Sequence, residues 1–133
     1  MLGRRSSDWC LARAVSLWGI VAILAAGPAP VAGAVDPAAE AALVRTYYDL
    51  AVAEYCGLVT QPVYIGFFLL RHDQLARGKF GAGDNNEARR VADLAADLEY
   101  FDRGLSGQKN WCRTEGAVAV ARFTTYFQRR ELP

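Results

Sequence analysis

The chain has very few of the side chains that bind transition metals. It contains one histidine, three cysteines and one methionine in 133 residues, and the methionine is Met1. A transition-metal site usually takes several ligands from these residue types, and the Cys-x-x-Cys-His motif that attaches haem is absent. The sequence therefore predicts neither a metal site nor a cofactor.

Motifs of covalent catalysis and nucleotide binding are also missing. There is no Gly-x-Ser-x-Gly nucleophile elbow, and the glycine-rich segment 78–83 (GKFGAG) lacks the order of a phosphate-binding loop. The single histidine, His72, lies beside Asp73 and is a candidate ligand or general base with Glu87 or Asp93. A partly exposed position on a polar helix face is the simpler interpretation, so the sequence indicates no catalytic residue.

The charge is nearly balanced. Lys and Arg number 15 against 14 Asp and Glu, which gives a formal net charge of +1. Proteins that bind nucleic acid or anionic membrane surfaces usually carry a clear excess of basic residues. The balance therefore predicts no nucleic-acid partner.

The N-terminus has the three parts of an export signal. Arg4, Arg5 and Arg13 form a basic start, and the uncharged segment 14–26 (AVSLWGIVAILAA) follows. Residues 32–34 (AGA) then supply small side chains at the positions that a signal peptidase recognises. We expect a signal peptide over residues 1–34 and cleavage after Ala34.

An uncleaved membrane anchor is the alternative, because the uncharged segment 14–35 is long enough to cross a bilayer. Its second half contains Pro28 and Pro30, which disfavour a continuous helix, so cleavage is preferred. Membrane association is expected only if the signal is uncleaved. The export signal and the Ala- and Arg-rich composition indicate a bacterial periplasmic or secreted protein with one domain, residues 35–133.

Helical spacing and capping residues predict four helices, over about residues 37–56, 61–78, 84–104 and 114–130. The segment 63–70 (VYIGFFLL) has no visible period, and a buried strand is the alternative there. Helix is favoured because no turn residue separates it from the helix formers that follow.

The third predicted helix has the clearest pattern. Its apolar residues alternate steps of three and four, with most charged residues on the opposite face, which is typical of an amphipathic helix. These apolar residues are Val91, Leu94, Leu98, Phe101 and Leu105.

Two cysteines remain after the predicted signal, which contains Cys10. Cys56 ends the first helix and Cys112 begins the fourth, and these two ends meet in an up-down bundle. Exported thiols are normally oxidised, whereas catalytic pairs usually have Cys-x-x-Cys spacing. The fold prediction is therefore all-α: a small up-down antiparallel four-helix bundle joined by one structural disulfide.

The disulfide end is the predicted binding surface. Glu54, Lys109, Trp111 and Arg113 should come together there in loops held by the bridge. The alternative for Trp111 is that it only covers the disulfide.

Aromatic residues are numerous, with six Tyr, six Phe and three Trp. Neighbouring helical residues point about 100° apart, so a small core cannot bury every aromatic pair. Some of Tyr48, Tyr64, Phe68 and Tyr126 should therefore reach the surface, where a cluster would mark a binding site.

These patterns predict an exported, non-catalytic accessory or binding protein of the bacterial periplasm, with a protein or small-ligand partner in the cell envelope. The alternative is a small periplasmic enzyme or metal-handling protein that uses His72 and nearby carboxylates.

Overall fold

The computed structural model describes residues 35–132, and the predicted signal peptide lies outside them. In this part of the chain the structure is entirely helical. The helices are α1 (Pro37–Tyr55), α2 (Gln61–Gly78), α3 (Ala82–Asp102), α4 (Gly104–Trp111) and α5 (Ala117–Arg129), and a π-helical turn, Cys112–Gly116, joins α4 to α5. No helix within residues 35–132 is both long and apolar enough to cross a membrane.

Helix α1 begins and ends where the sequence predicts. The Asp36 carboxylate accepts a hydrogen bond from the Ala38 N–H at 3.1 Å, and Pro37 occupies the first turn, where its missing N–H costs nothing. The helix ends before Gly57, which has a φ of +65°. Glycine adopts that conformation without a steric penalty.

Helix α2 is continuous, so the strand alternative for residues 63–70 is wrong. It packs against α5, and Gly66 faces that helix. A Cβ atom at Gly66 would lie 2.0 Å from the Phe123 carbonyl oxygen. The missing side chain therefore allows the backbones of α2 and α5 to approach closely.

The core is built around α1, which contacts α2, α3, α5 and the π-helical turn. Its buried side chains come from four helices: Leu43, Tyr47, Ala53, Val63, Phe67, Leu70, Ala88, Ala92, Phe123 and Tyr126. Helix α3 contributes only alanines to this set, which lets it lie close to α1.

The face of α3 that carries its large apolar residues lies outside the core. In most amphipathic helices that face is buried. Ala88, Ala92 and Ala96, spaced by four residues, are buried instead. The apolar residues that carry the predicted pattern are exposed: Val91, Leu94, Leu98 and Phe101 on α3, and Leu105 on α4. Small side chains thus determine which side of α3 faces α1, and large ones face outward.

Two predicted boundaries of α3 and α5 are wrong. Helix α3 begins at Ala82, and Asp84 lies inside its first turn, where the carboxylate accepts a hydrogen bond from the Gly81 N–H at 2.9 Å. The polar segment 108–110, predicted as a connection, is helical and belongs to α4. The last helical region therefore begins at Gly104 rather than near Thr114.

The disulfide between Cys56 and Cys112 is confirmed, with a Cα–Cα distance of 5.4 Å. It joins the end of α1 to the start of the π-helical turn. Gly116 leaves room for this junction, because a Cβ atom there would lie 2.9 Å from a Leu58 methyl carbon and 3.4 Å from the Cys56 sulfur.

Candidate functional site

A cleft of about 370 Å³ lies between α1, α2 and α3. We call it the three-helix cleft. Its lining combines aromatic, charged and amide side chains: Tyr47, Leu50, Ala51, Glu54, Tyr64, Phe67, Phe68, Arg71, Asn85, Asn86, Arg89 and Asp93. Polar groups provide most of the exposed lining, and apolar side chains provide a smaller part.

Exposed aromatic rings form one side of the cleft. Tyr64 and Phe68 lie one turn apart on α2, so they project on the same side of the helix, and their ring centroids are 4.8 Å apart in an edge-to-face arrangement. Both side chains are exposed, which confirms the prediction for two of the four aromatics. Of the other two, Tyr126 is buried and Tyr48 is half-buried.

Arg71 places a positive charge against these rings. Its guanidinium carbon lies 5.7 Å from the centre of the Phe68 ring and 6.0 Å from that of Tyr47. The Nε atom is buried without a hydrogen-bond partner among residues 35–132. The ion pairs of this part of the chain do not include Arg71. Ring faces attract this cation, and no carboxylate oxygen lies within 4.0 Å of its nitrogens in the described chain.

Polar groups of α1 and α3 complete the cleft. The Tyr47 hydroxyl donates a hydrogen bond to Asn85 Oδ1 at 2.6 Å, which fixes the amide of Asn85. Arg89 and Asp93 form an exposed ion pair at 3.5 Å. Glu54, predicted as a binding residue, lies here on the α1 side.

The four predicted binding residues do not share one surface. Glu54 lines the three-helix cleft, whereas Lys109 lines a separate groove of about 590 Å³ that also includes both disulfide cysteines. Arg113 is exposed and donates a hydrogen bond to Asn110 Oδ1 at 2.8 Å. Ligand binding at the disulfide end stays a prediction.

Trp111 is completely buried. Its ring centre lies 6.4 Å from those of Tyr55 and Tyr100, and the Arg103 guanidinium carbon lies 5.7 Å from it. This burial favours the alternative in which Trp111 stabilises the disulfide end from within, because a ligand cannot touch a side chain without exposed surface.

His72 lies at the surface. Its side chain is 82% exposed, and Nδ1 is 3.5 Å from Asp73 Oδ1. The other Asp73 oxygen accepts a hydrogen bond from the Tyr126 hydroxyl at 2.6 Å, and this bond lowers the pKa of Asp73. Within residues 35–132, no group of three His, Cys, Asp or Glu side chains is close enough to hold a metal ion.

The sequence did not identify Arg71 as a candidate site residue, because the cleft that it lines forms only where α1, α2 and α3 pack together. The sequence did indicate that Arg71 lies one helical turn after Phe68, which itself lies one turn after Tyr64. Aromatic rings and a guanidinium at steps of three to four residues form one continuous strip on a helix.

Comparisons of the chain with protein-family models, with curated proteins and with solved structures give no match.

Proposed function

We propose that the chain is an exported, non-catalytic binding protein of the bacterial periplasm that binds a small organic anion in the three-helix cleft. Its domain, residues 35–133, is released by cleavage after Ala34 and folds as an up-down antiparallel four-helix bundle. The ligand carries a carboxylate, sulfonate or phosphate next to an aromatic or apolar group.

The buried Nε of Arg71, which has neither a hydrogen-bond partner nor a direct ion pair within residues 35–132, carries the proposal. A guanidinium that is partly removed from water loses solvation, and an ionic hydrogen-bond acceptor from a ligand would restore that stabilisation. Arginine suits this role because its planar donors bind carboxylate and phosphate groups in a bidentate manner.

The exposed rings account for the apolar part of the ligand. Tyr64 and Phe68 offer edges and faces on which an aromatic group can stack. Such rings bury large areas with little loss of conformational entropy, and this is why aromatic residues dominate many binding surfaces.

Export is supported by two independent features. The N-terminal residues have the basic, apolar and small-residue parts of a signal peptide, and a disulfide that joins α1 to the π-helical turn suits an oxidising compartment. Intact-mass measurement of protein recovered from the periplasm after expression of the full gene should give a chain that starts at Val35. A mass that includes residues 1–34 would contradict cleavage.

Titration with anilinonaphthalene sulfonate, an aromatic anion, tests the cleft. The wild-type protein should bind one equivalent with saturable fluorescence, and Arg71→Gln should weaken binding at least tenfold, about 1.4 kcal/mol. Arg129→Gln is the matched control, because Arg129 is an exposed arginine of α5 outside the cleft.

Circular dichroism must show the same helix content in all three proteins, since partly unfolded chains also bind this dye. Equal affinity of the wild-type protein and Arg71→Gln would overturn the proposed ligand site.

A further inference from the structure

The three-helix cleft has hydrogen-bond donors at one of its ends, next to Tyr47. The Arg71 guanidinium carbon lies 6.0 Å from the centre of the Tyr47 ring, and the Tyr47 hydroxyl donates to Asn85 Oδ1. Because Oδ1 is the acceptor of this bond, the NH2 group is the part of the Asn85 amide left to donate to a ligand. We call Arg71 and Asn85 the donor end of the cleft.

Two carboxylates lie elsewhere in the same cleft, Glu54 on α1 and Asp93 on α3. We call these two residues the acceptor end. Asp93 is paired with Arg89 at 3.5 Å. Among residues 35–132, no Lys, Arg or His nitrogen lies within 4.0 Å of the Glu54 carboxylate. Glu54 is therefore the anionic group of the cleft that lacks a direct cationic partner in the described chain.

Two hydrogen bonds between α1 and α3 show that the donor and acceptor ends are separate. The Tyr47 hydroxyl bonds to Asn85, and the Tyr55 hydroxyl, eight residues further along α1, bonds to Asp97. The two helices therefore run in the same direction here, and the acceptor end lies further along both of them. Glu54 follows Tyr47 by two helical turns, which is about 10 Å at 1.5 Å per residue.

The charges that line the cleft are balanced. Two arginines, Arg71 and Arg89, stand against two carboxylates, Glu54 and Asp93. A ligand with only a negative charge would satisfy Arg71 but would also approach the acceptor end, where like charges repel. A ligand that carries both charges avoids this cost, and it suits a lining that is mostly polar.

We propose that the ligand of the three-helix cleft is a free α-amino acid with an aromatic side chain. This inference rests on the proposed function, because the carboxylate of the amino acid is the anionic group that binds Arg71. The ammonium group binds Glu54, with Asp93 beside it, and the aromatic ring packs against Tyr64 and Phe68. Binding involves no covalent step.

The size of an α-amino acid fits this arrangement. With charged hydrogen bonds of about 2.8 Å at each end, an ammonium and a carboxylate on one carbon atom join protein groups that are about 8 to 9 Å apart. This reach is close to the separation of the two ends along α1. Helical side chains tilt toward the N-terminus of their helix, so the Glu54 carboxylate leans toward the donor end. A volume of about 370 Å³ is near the lower limit for small-ligand sites, which favours one amino acid over a longer peptide.

Isothermal titration calorimetry of protein exported from the full-length gene tests the two charges separately. L-Phenylalanine should bind with one molecule per chain. 3-Phenylpropanoate lacks the ammonium group and phenethylamine lacks the carboxylate, and each should bind at least tenfold more weakly. No binding of phenylalanine, or equal affinity for phenylalanine and 3-phenylpropanoate, overturns the inference.

A variant of the acceptor end identifies the group that binds the ammonium. Glu54→Gln should weaken phenylalanine at least tenfold and should leave the affinity for 3-phenylpropanoate within twofold, because that ligand has no ammonium to lose. Glu40→Gln is the matched control, since Glu40 is an exposed glutamate of α1 outside the cleft. Circular dichroism should show the same helix content in both variants. An equal loss for both ligands in Glu54→Gln would assign Glu54 to the shape of the cleft and overturn its contact with the ammonium.

A dipeptide tests whether the ligand is a single amino acid. Glycylphenylalanine has the same ring and the same two charges, but a peptide unit moves the ammonium away from the carboxylate. It should bind at least tenfold more weakly than phenylalanine. Equal or tighter binding of the dipeptide would overturn the assignment to a free amino acid.

The inference and the proposed function fail in different ways. If anilinonaphthalene sulfonate binding depends on Arg71 but phenylalanine and 3-phenylpropanoate bind equally well, the anion site stands and the amino acid is wrong. If phenylalanine binds to Arg71→Gln as tightly as to the wild-type protein, both the anion site and the amino acid are wrong.

Discussion

Asp49 on α1 accepts a hydrogen bond from Arg122 on α5, with 2.5 Å between Asp49 Oδ2 and Arg122 Nη1. The Asp49 side chain is 2% exposed and that of Arg122 is 14% exposed. Arg45 contacts the other Asp49 oxygen at 2.8 Å, and Arg122 also donates to the Thr46 hydroxyl at 3.2 Å. The two helices are thus joined by a buried ionic network.

Arg122→Met should destabilise the protein by about 3 kcal/mol, the lower end of the range for removing one partner of a buried pair. The lower end applies because Arg45 still faces Asp49. Urea unfolding measures this difference. The double variant Asp49→Leu with Arg122→Met should be more stable than Arg122→Met alone, because no uncompensated buried charge remains. A double variant of lower stability would contradict this explanation.

Gly66→Ala should destabilise the protein by about 3 kcal/mol or more, because overpacking forces the α2 and α5 backbones apart. The contact involved is the Phe123 carbonyl oxygen, which is backbone and cannot rotate away. Gly83→Ala is the matched control, since Gly83 is also helical but has nothing near its Cβ position. That variant should be neutral or more stable by up to about 1 kcal/mol. Equal effects at the two positions in thermal unfolding would contradict the packing argument.

Local signals in the sequence predicted the positions of α1 and α2 well. Asp36 and Pro37 begin a helix through hydrogen bonding and backbone geometry that involve only neighbouring residues. The disulfide was also predictable, because two helix ends with one cysteine each leave a single pairing in residues 35–133. Helix starts depend on adjacent residues, and a single possible cysteine pairing needs no knowledge of the packing, so both can be predicted from the sequence.

The buried face of α3 could not be predicted from local sequence signals. Both its alanine face and its leucine-containing face recur at helical spacing, and hydrophobicity alone favours burial of the larger side chains. Burial of Ala88, Ala92 and Ala96 depends on how closely α1 approaches, which is a property of the packed structure. The ionic network of Asp49 and Arg122 was missed for the same reason, since 73 residues separate its members.

Acid should weaken the link between α2 and α5. The Tyr126 hydroxyl donates a hydrogen bond to Asp73, and this bond lowers the pKa of Asp73 below its ordinary value of 3.8. The folded state therefore binds this proton less readily than the unfolded state, so the contribution to stability is fully present above about pH 5. It is lost as the pH falls through the ordinary value and then through the lowered value.

Tyr126→Phe should reduce the unfolding free energy at pH 7 by about 1 kcal/mol, the usual net worth of a hydrogen bond. The difference between the variant and the wild-type protein should shrink as the pH falls below 4, because a hydrogen bond to protonated Asp73 is weaker than one to the ionised carboxylate. Urea unfolding at pH 7 and pH 3 compares the two. Thr124→Val is a control, since its hydroxyl bonds only within α5. A difference that stays constant with pH would exclude the ionic hydrogen bond as its cause.

Reduction of the disulfide should destabilise the protein strongly, because Cys56 and Cys112 are separated by 56 residues. Closing a loop of that length removes conformational entropy from the unfolded chain, worth about 4 kcal/mol in the chain-entropy model. A domain of this size has a total stability of roughly 5–10 kcal/mol.

The reduced protein, and the double variant Cys56→Ala with Cys112→Ala, should therefore unfold at much lower urea concentration than the oxidised protein. Because the bridge acts mainly on the unfolded state, helix content at low temperature should change little. A shift in midpoint of less than a third of that expected for about 4 kcal/mol would contradict the chain-entropy explanation.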